Sequence, residues 1–243
     1  MRLTYVGHAT VIIEMGGVRL VTDPILRPRV AHLRRTTPME AISAPVDGVL
    51  VSHAHMDHLD PRSISLLTGD PVVVVPRGAA RFLRRRRSVE VVEGDEVRIG
   101  SVTVRATHAD HDGRRYAFGP PMASVGYRIQ GAGSVYFAGD TGLFPGMADI
   151  GRTGIDVALL PVAGWGPRLP PGHLDPQAAA RALELLAPIV AVPIHWGTLA
   201  PILGGGKPAG RSESAPEEFA NEAAILAPEV RVVVLPPGGT VEL

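Results

Sequence analysis

Cysteine is absent from the 243 residues, which excludes disulfides, thiolate metal ligands and cysteine nucleophiles. A metal held by this chain must therefore be bound by histidine and carboxylate side chains. Net charge is lacking as well: lysine plus arginine and aspartate plus glutamate stand at 24 each. No global field draws the protein to nucleic acid or to a membrane surface. The local run "RFLRRRR", Arg81 to Arg87, closes a short helical stretch and reads as a solvated face. No apolar run approaches the roughly 20 residues that cross a bilayer. The opening "MRLTYVGHATVIIEMGG" alternates like a strand and lacks a basic leader, an apolar block and a cleavage site. A cytoplasmic protein without stable membrane insertion is the expectation. A seryl motif of the G-x-S-x-G type is also missing, so an attacking group must come from elsewhere.

What is present is ample apolar material, 45% of the chain, enough for a sizeable core in one domain or two. Short β-branched runs bounded by Gly and Pro recur throughout, among them "VVVV", "SVYFA", "VALL", "IVAV" and "VRVVV". Helical patterns fall between some of them, over 175–187 and 214–227. The class is α/β.

The two halves of the chain carry the same signals in the same order. "IEMGGVRLVTDP" and "IQGAGSVYFAGDTG" each read as a hairpin with a glycine turn, ending in Asp23 and Asp140. "VDGVLVS" and "GIDVALLP" are buried strands behind an aspartate. "HLDP" opens a helical pattern at 58–61 and again at 173–176, with the Asp placed to cap and the Pro to take the first turn. "PVVVVP" answers "PIVAVP". Four matches in one order predict two β-rich halves about a pseudo-twofold axis. Two facing sheets with helices outside bury both, so a four-layer αββα sandwich in a single domain, 1–243, is expected. Polar residues just after the strands should then converge at one edge.

The stretch "VLVSHAHMDHLDP" supplies such residues. In an extended segment His53, His55 and Asp57 project to one side, while His58 turns elsewhere at the start of a helix. This spacing behind a buried strand points to metal binding, with two imidazoles for one ion and a carboxylate and an imidazole for a neighbour. Further candidates follow other strands: Asp140 in "FAGDTG", placed where it could bridge two cations, and His195 in "VPIHWGT". "VRATHADHDGRR" offers both His108 and His111, and local physics does not choose between them.

"SHAHMDH", a downstream histidine, "GDTG" and "IHWGT" together resemble the metallo-β-lactamase-fold hydrolases, in particular the branch with ascorbate-6-phosphate lactonase-like and N-acylphosphatidylethanolamine phospholipase D-like proteins. The similarity runs over nearly the whole chain, through "YVGHATVIIE", "LVTDPIL", "GIDVALLPVAGWGPR" and "HLDPQAA". It implies one metal site of His53, His55 and a histidine of the 104–115 segment, a second of Asp57, His58 and His195, and Asp140 bridging. The branch looks to carry a "TPAxH" pattern, which laid on "THADH" selects His111. Asp23 either orients a ligand imidazole from behind or caps its hairpin. The cofactors implied are two divalent ions, zinc foremost, with manganese or iron as alternatives.

Two adjacent cations would supply a hydroxide near neutral pH, which suits hydrolysis of a lactone, ester or phosphate ester of a small, anionic molecule. Asp57 and His173 are the candidate catalytic residues; by the internal repeat His173 stands where His58 stands in the first half, with no ion to bind. His8 has a weaker claim, and His32, in an arginine-rich loop, is expected to have none. A lipid phosphodiesterase would need an apolar approach, which Leu199, Ile202 and Leu203 could form, whereas Lys207 and Arg211 in the same loop suit an anion. A metal-binding protein without turnover is the reading from another class. Nucleic acid is not an expected partner; an oligomer is compatible with the sequence.

Overall fold

The computed structural model describes residues 1–39, 42–83, 87–116, 118–166, 168–203 and 210–243. The first half begins with the antiparallel strands β1 (Arg2–Gly7), β2 (Thr10–Met15) and β3 (Val18–Thr22). A small hairpin follows, β4 (Arg29–Val30) and β5 (Leu33–Arg35). Then come β6 (Gly48–Leu50), helix α1 (Pro61–Ile64), β7 (Val72–Pro76) and β8 (Ser88–Val91). The second half is built from β9 (Glu96–Ile99), β10 (Val102–His108), β11 (Val125–Gln130), β12 (Ser134–Phe137), α2 (Met147–Gly151) and β13 (Val157–Pro161). It continues with α3 (Pro176–Leu186), β14 (Val190–Ile194), β15 (Leu199–Pro201), α4 (Gly210–Leu226), β16 (Arg231–Val232) and β17 (Thr240–Glu242).

Two seven-stranded sheets result, β17-β1-β2-β3-β6-β7-β8 and β9-β10-β11-β12-β13-β14-β16, with β15, β5 and β4 in a small third sheet. Neighbour by neighbour the pairing senses agree: three antiparallel pairs and then three parallel ones in each large sheet. The duplicated sequence signals are thus duplicated structure. C-terminal strand β17 completes the first sheet just as β9 completes the second.

Continuous apolar runs form these strands because both faces of each sheet are covered. Leu50 and Val74 point between the sheets, against Val104, Tyr127 and Leu159. Their neighbours Val49, Val51, Val73 and Val75 point outward, onto Leu59, Ile64 and Leu67, as period-2 alternation requires. On the second sheet Ala158 and Leu160 face outward onto Leu183, Leu186 and Phe219 of α3 and α4. The layering is αββα with unequal outer layers: the first sheet is covered by the four-residue α1 and loops, the second by three helices.

Both "HLDP" segments behave as local physics dictates. Asp60 caps α1, accepting from Ser63 N at 3.2 Å. Asp175 caps α3, accepting from Ala178 N at 2.8 Å, with Pro176 at the first helical position. Other expectations are adjusted. "VRVVV" yields only the short β16, because Pro236 and Pro237 have no N–H with which to extend a ladder. Helix α4 begins four residues ahead of Ser214. The basic run holds a 3-10 turn at Ala80–Phe82, with the Arg81 guanidinium over the Phe82 ring at 4.9 Å; Arg84, Arg85 and Arg86 lie outside the described residues. Among the described residues no helix is long and apolar enough to cross a membrane.

Asp175→Ala removes a side-chain cap from an exposed helix end that nothing else replaces. It is expected to lower unfolding free energy by about 1 kcal/mol, seen as a reduced urea midpoint with unchanged slope.

Candidate metal centre

The chain leaves β6 extended through His53 and then turns, with His58 N and Leu59 N both donating to His55 O at 3.1 and 2.8 Å. This turn corrects the one-sided arrangement expected of His53, His55 and Asp57. His53 and His55 stay together, 2.9 Å between Nε2 and Nδ1, while Asp57 is swung round with His58 to a different group. His111, in the loop after β10, brings its Nε2 to 3.3 Å from the same His55 Nδ1. His108 is the last residue of β10, half-exposed, with Glu93 3.4 Å away. Of the two histidines in "THADH", His111 is thus the one that joins His53 and His55.

A second group consists of Asp57, His58, His195 and His8. His58 Nε2 and His195 Nε2 are 3.1 Å apart, and Asp57 Oδ2 lies 3.7 Å from His58 Nε2 and 3.2 Å from His8 Nε2. Asp140 stands between the groups. Its Oδ2 is 3.3 Å from His58 Nε2 and 3.9 Å from His53 Nε2, and its Oδ1 is 3.3 Å from His195 Nε2. The left-handed turn at Gly139 (φ +62°) presents this carboxylate, and only glycine fits there, since a Cβ would meet Ser52 Cβ at 2.5 Å.

The hydrogen bonds behind the rings fix which nitrogen faces inward. His195 Nδ1 donates to Ala163 O at 2.7 Å and His111 Nδ1 to Gly172 O at 2.9 Å. Asp23 is fully buried; its carboxylate takes Ser52 N at 2.7 Å, Ser52 Oγ at 2.5 Å and His58 Nδ1 at 2.6 Å. Ser52 Oγ, having donated to Asp23, accepts from His53 Nδ1 at 3.0 Å. Four imidazoles therefore turn Nε2 toward the centre. Nitrogens about 2.05 Å from one tetrahedral ion are roughly 3.3 Å apart, close to the spacings found here. Buried Asp140 Oδ1 has no hydrogen-bond partner. A set of converging lone pairs and an unpartnered carboxylate oxygen fits a cation, and the backing partners are those that orient metal-binding histidines.

Burial, reinforced by neighbouring histidines, pushes His53 well below the usual histidine range. Burial also lowers His111, to about 4, against the pull of Asp140. His55 and His195 move the same way for the same reason. These rings are neutral at pH 7 and ready to bind. Burial opposes the ionisation of Asp57 and Asp140, but His58 with His8 for the first, and His195 with His58 for the second, hold both well below the carboxylate range. His58 is the exception: although burial lowers it, Asp140, Asp57 and Asp23 raise it well above 6.5, so an ion-free centre keeps a proton there.

A cleft of about 980 Å³ opens over the centre. His173 lies on its wall, with Nδ1 donating to Pro170 O at 3.1 Å and Nε2 3.3 Å from Asp140 Oδ2. His32 corrects its expectation: the β4–β5 hairpin, paired to β15, carries it to the cleft, where its ring meets Trp165 edge-on at 4.9 Å. Leu199 corrects another. It is buried with Ile25, Val30 and Leu33, and the apolar wall is formed instead by Leu33, Met56, Trp165 and Leu169. Exposed Ile202 and Leu203 are not part of that wall. Lys207 and the Arg211 side chain lie outside the described residues. Sequence reasoning passed over Ser52 and Trp165. In the internal repeat, where Gly48 of β6 matches Val157 of β13, Trp165 falls on the position of Met56, another residue of the cleft.

His111→Ala is expected to lose metal from the His53–His55 group while His108→Ala keeps it, as read by elemental analysis of the purified variants. Because His58 must give up its proton to bind, zinc uptake at pH 7 should release at least one proton per chain, detectable with an indicator dye in weak buffer. Uptake without release would show a neutral His58.

Residues 18–196 match the family model described as a beta-lactamase superfamily domain. A protein of Methanopyrus kandleri described as a UPF0173 metal-dependent hydrolase is 38% identical, with 100% of both chains covered. One of Opitutus terrae with the same description is 34% identical, again over 100% of both. Among solved structures, Igni18, described as a novel metallo hydrolase from the archaeon Ignicoccus hospitalis, superposes with a TM-score of 0.77 at 26% identity, covering 99% of this chain and 97% of that one. The sheets, the histidine groups and these likenesses agree: the chain belongs to the UPF0173 metal-dependent hydrolase family of the β-lactamase superfamily.

Proposed function

We propose that the protein is a hydrolase with two divalent cations, zinc foremost and manganese or iron as alternatives, that cleaves a lactone, ester or phosphate ester in a small anionic molecule. One observation carries this reading: the Asp140 carboxylate lies between the two histidine groups, within 3.9 Å of a nitrogen from each. His53, His55 and His111 would hold one ion, Asp57, His58 and His195 the other, with Asp140 shared. Ions so held supply a hydroxide at neutral pH and polarise the substrate oxygen. Two cations in one cleft would favour an anionic substrate, and Arg168 adds positive charge on the cleft wall.

The chain's own contribution to the reaction lies at His173. Burial lowers it, but in the ion-free centre the Asp140 carboxylate raises it above the ordinary value, which favours a proton on Nε2 toward the cleft. From there it can protonate a leaving oxygen or donate a hydrogen bond to the developing oxyanion. Asp57, held well below the carboxylate range by His58 and His8, would serve as a ligand to the second ion. The apolar wall of Leu33, Met56, Trp165 and Leu169 favours a second reading, a lipid-type phosphodiesterase similar to the phospholipase D-like branch.

The test is elemental analysis followed by a hydrolysis screen of lactones, phosphodiesters, phosphomonoesters and long-chain phosphodiesters with the metal found. Two ions per chain and turnover of a short anionic ester are expected. Preference for the long-chain phosphodiester would favour the second reading, and a fully loaded protein inert across the panel would indicate metal binding without turnover. On the true substrate His173→Ala should retain both ions and lose roughly 10²-fold in turnover. Partial rescue by His173→Gln would mark oxyanion stabilisation, since an amide donates a hydrogen bond but no proton.

A further inference from the structure

Asp57 differs from the other candidate ligands in what meets its carboxylate. Trp165 Nε1 donates to Asp57 Oδ2 at 3.1 Å, and an indole N–H can only donate, never bind a cation. His8 Nε2 approaches the same oxygen at 3.2 Å. His8 is itself locked: its backbone N donates to Thr198 Oγ1 at 3.0 Å, its carbonyl accepts from His195 N at 2.7 Å, and its ring lies 4.0 Å from that of His195. Two donors converging on Oδ2, the oxygen that also lies 3.7 Å from His58 Nε2, hold the carboxylate in one orientation beside the centre.

The indole is equally well held. Its ring meets the His32 edge and packs on the cluster of Ile25, Val30, Leu33 and Leu199, beside Met56. It belongs to the segment after β13, in the opposite half of the molecule from Asp57. Its other contact is open space, because the ring lines the cleft. A residue needed only for packing would not aim its polar atom at a buried carboxylate beside three histidines.

We infer that Trp165 is a positioning residue of the metal centre: from the cleft wall of one half it fixes the orientation of Asp57 in the other and so presets the oxygen that receives the second cation. The inference rests on the two-cation reading of the site. Trp165→Phe keeps an aromatic ring against His32 and Met56 and removes only the donor.

The experiment titrates metal-free protein with zinc against a competing chelator, following tryptophan emission. Wild type should bind two ions, and emission should change as the Asp57 ion enters. Trp165→Phe should fold normally by circular dichroism, bind one ion unchanged and the other roughly 10- to 100-fold more weakly, the scale for losing a partner behind a ligand. Its remaining Trp196, stacked on Tyr5 and bonded to Pro193 O, should report no change. In an Asp57→Asn background the further substitution of Trp165 should cost nothing, because the effect acts through Asp57. Equal zinc affinities in wild type and Trp165→Phe overturn the inference, as does a loss that persists in the Asp57→Asn background. A wild type that saturates at one zinc refutes the two-cation reading instead, and the Trp165→Phe comparison on that single ion still decides the role of the indole.

Discussion

Imidazole nitrogens about 3 Å apart in a buried interior repel unless a proton or a cation is placed at their meeting point. His53, His55, His58, His111 and His195 come from three different segments of the chain, and every one of them is aimed by a hydrogen bond or a turn toward that point. The sandwich supplies the rigidity this needs. Strands covered on both faces cannot slide, so the residues that follow them arrive at fixed positions. The backbone bears a cost for it: His8, Asp23 and His195 all have positive φ, at 56°, 31° and 66°. Non-glycine residues in that region are uncommon, and at a site they mark geometry imposed by the surroundings.

The repeated halves explain how the centre is shared out. Asp23 directly follows β3 and Asp140 lies a short turn beyond β12, yet each faces the histidine of its own "HLDP" segment, His58 at 2.6 Å and His173 at 3.3 Å. The first pair is sealed from solvent and serves as a prop for a ligand. The second opens on the cleft. An aspartate beyond a strand facing an "HLDP" histidine thus serves two uses, and the difference lies in which pair lines the cleft.

Much of this was legible because it is local or periodic. The α/β class, the duplicated order of strands, both aspartate caps and the crowding of His53, His55, Asp57 and His58 behind a strand all follow from short-range patterns. What was not legible depends on the path of the chain between elements. The turn at His55 separates Asp57 from His53. Strand β10 ends at His108 and leaves that side chain outside, while His111 rides the loop inward. His32 reaches the cleft because its hairpin pairs with β15, more than 160 residues away, and Leu199 is buried by the same pairing. No spacing in the sequence encodes such contacts.

The unequal outer layers have a further consequence. The first sheet, which is followed by four of the centre's side chains, is roofed by α1, the 3-10 turn at Ala80–Phe82 and loops, whereas the second has α2, α3 and α4 across it. Cations bound between the halves would tie His53, His55, Asp57 and His58 to the side with three helices through Asp140, His111 and His195, and would so act as a clasp on the fold as well as on the substrate.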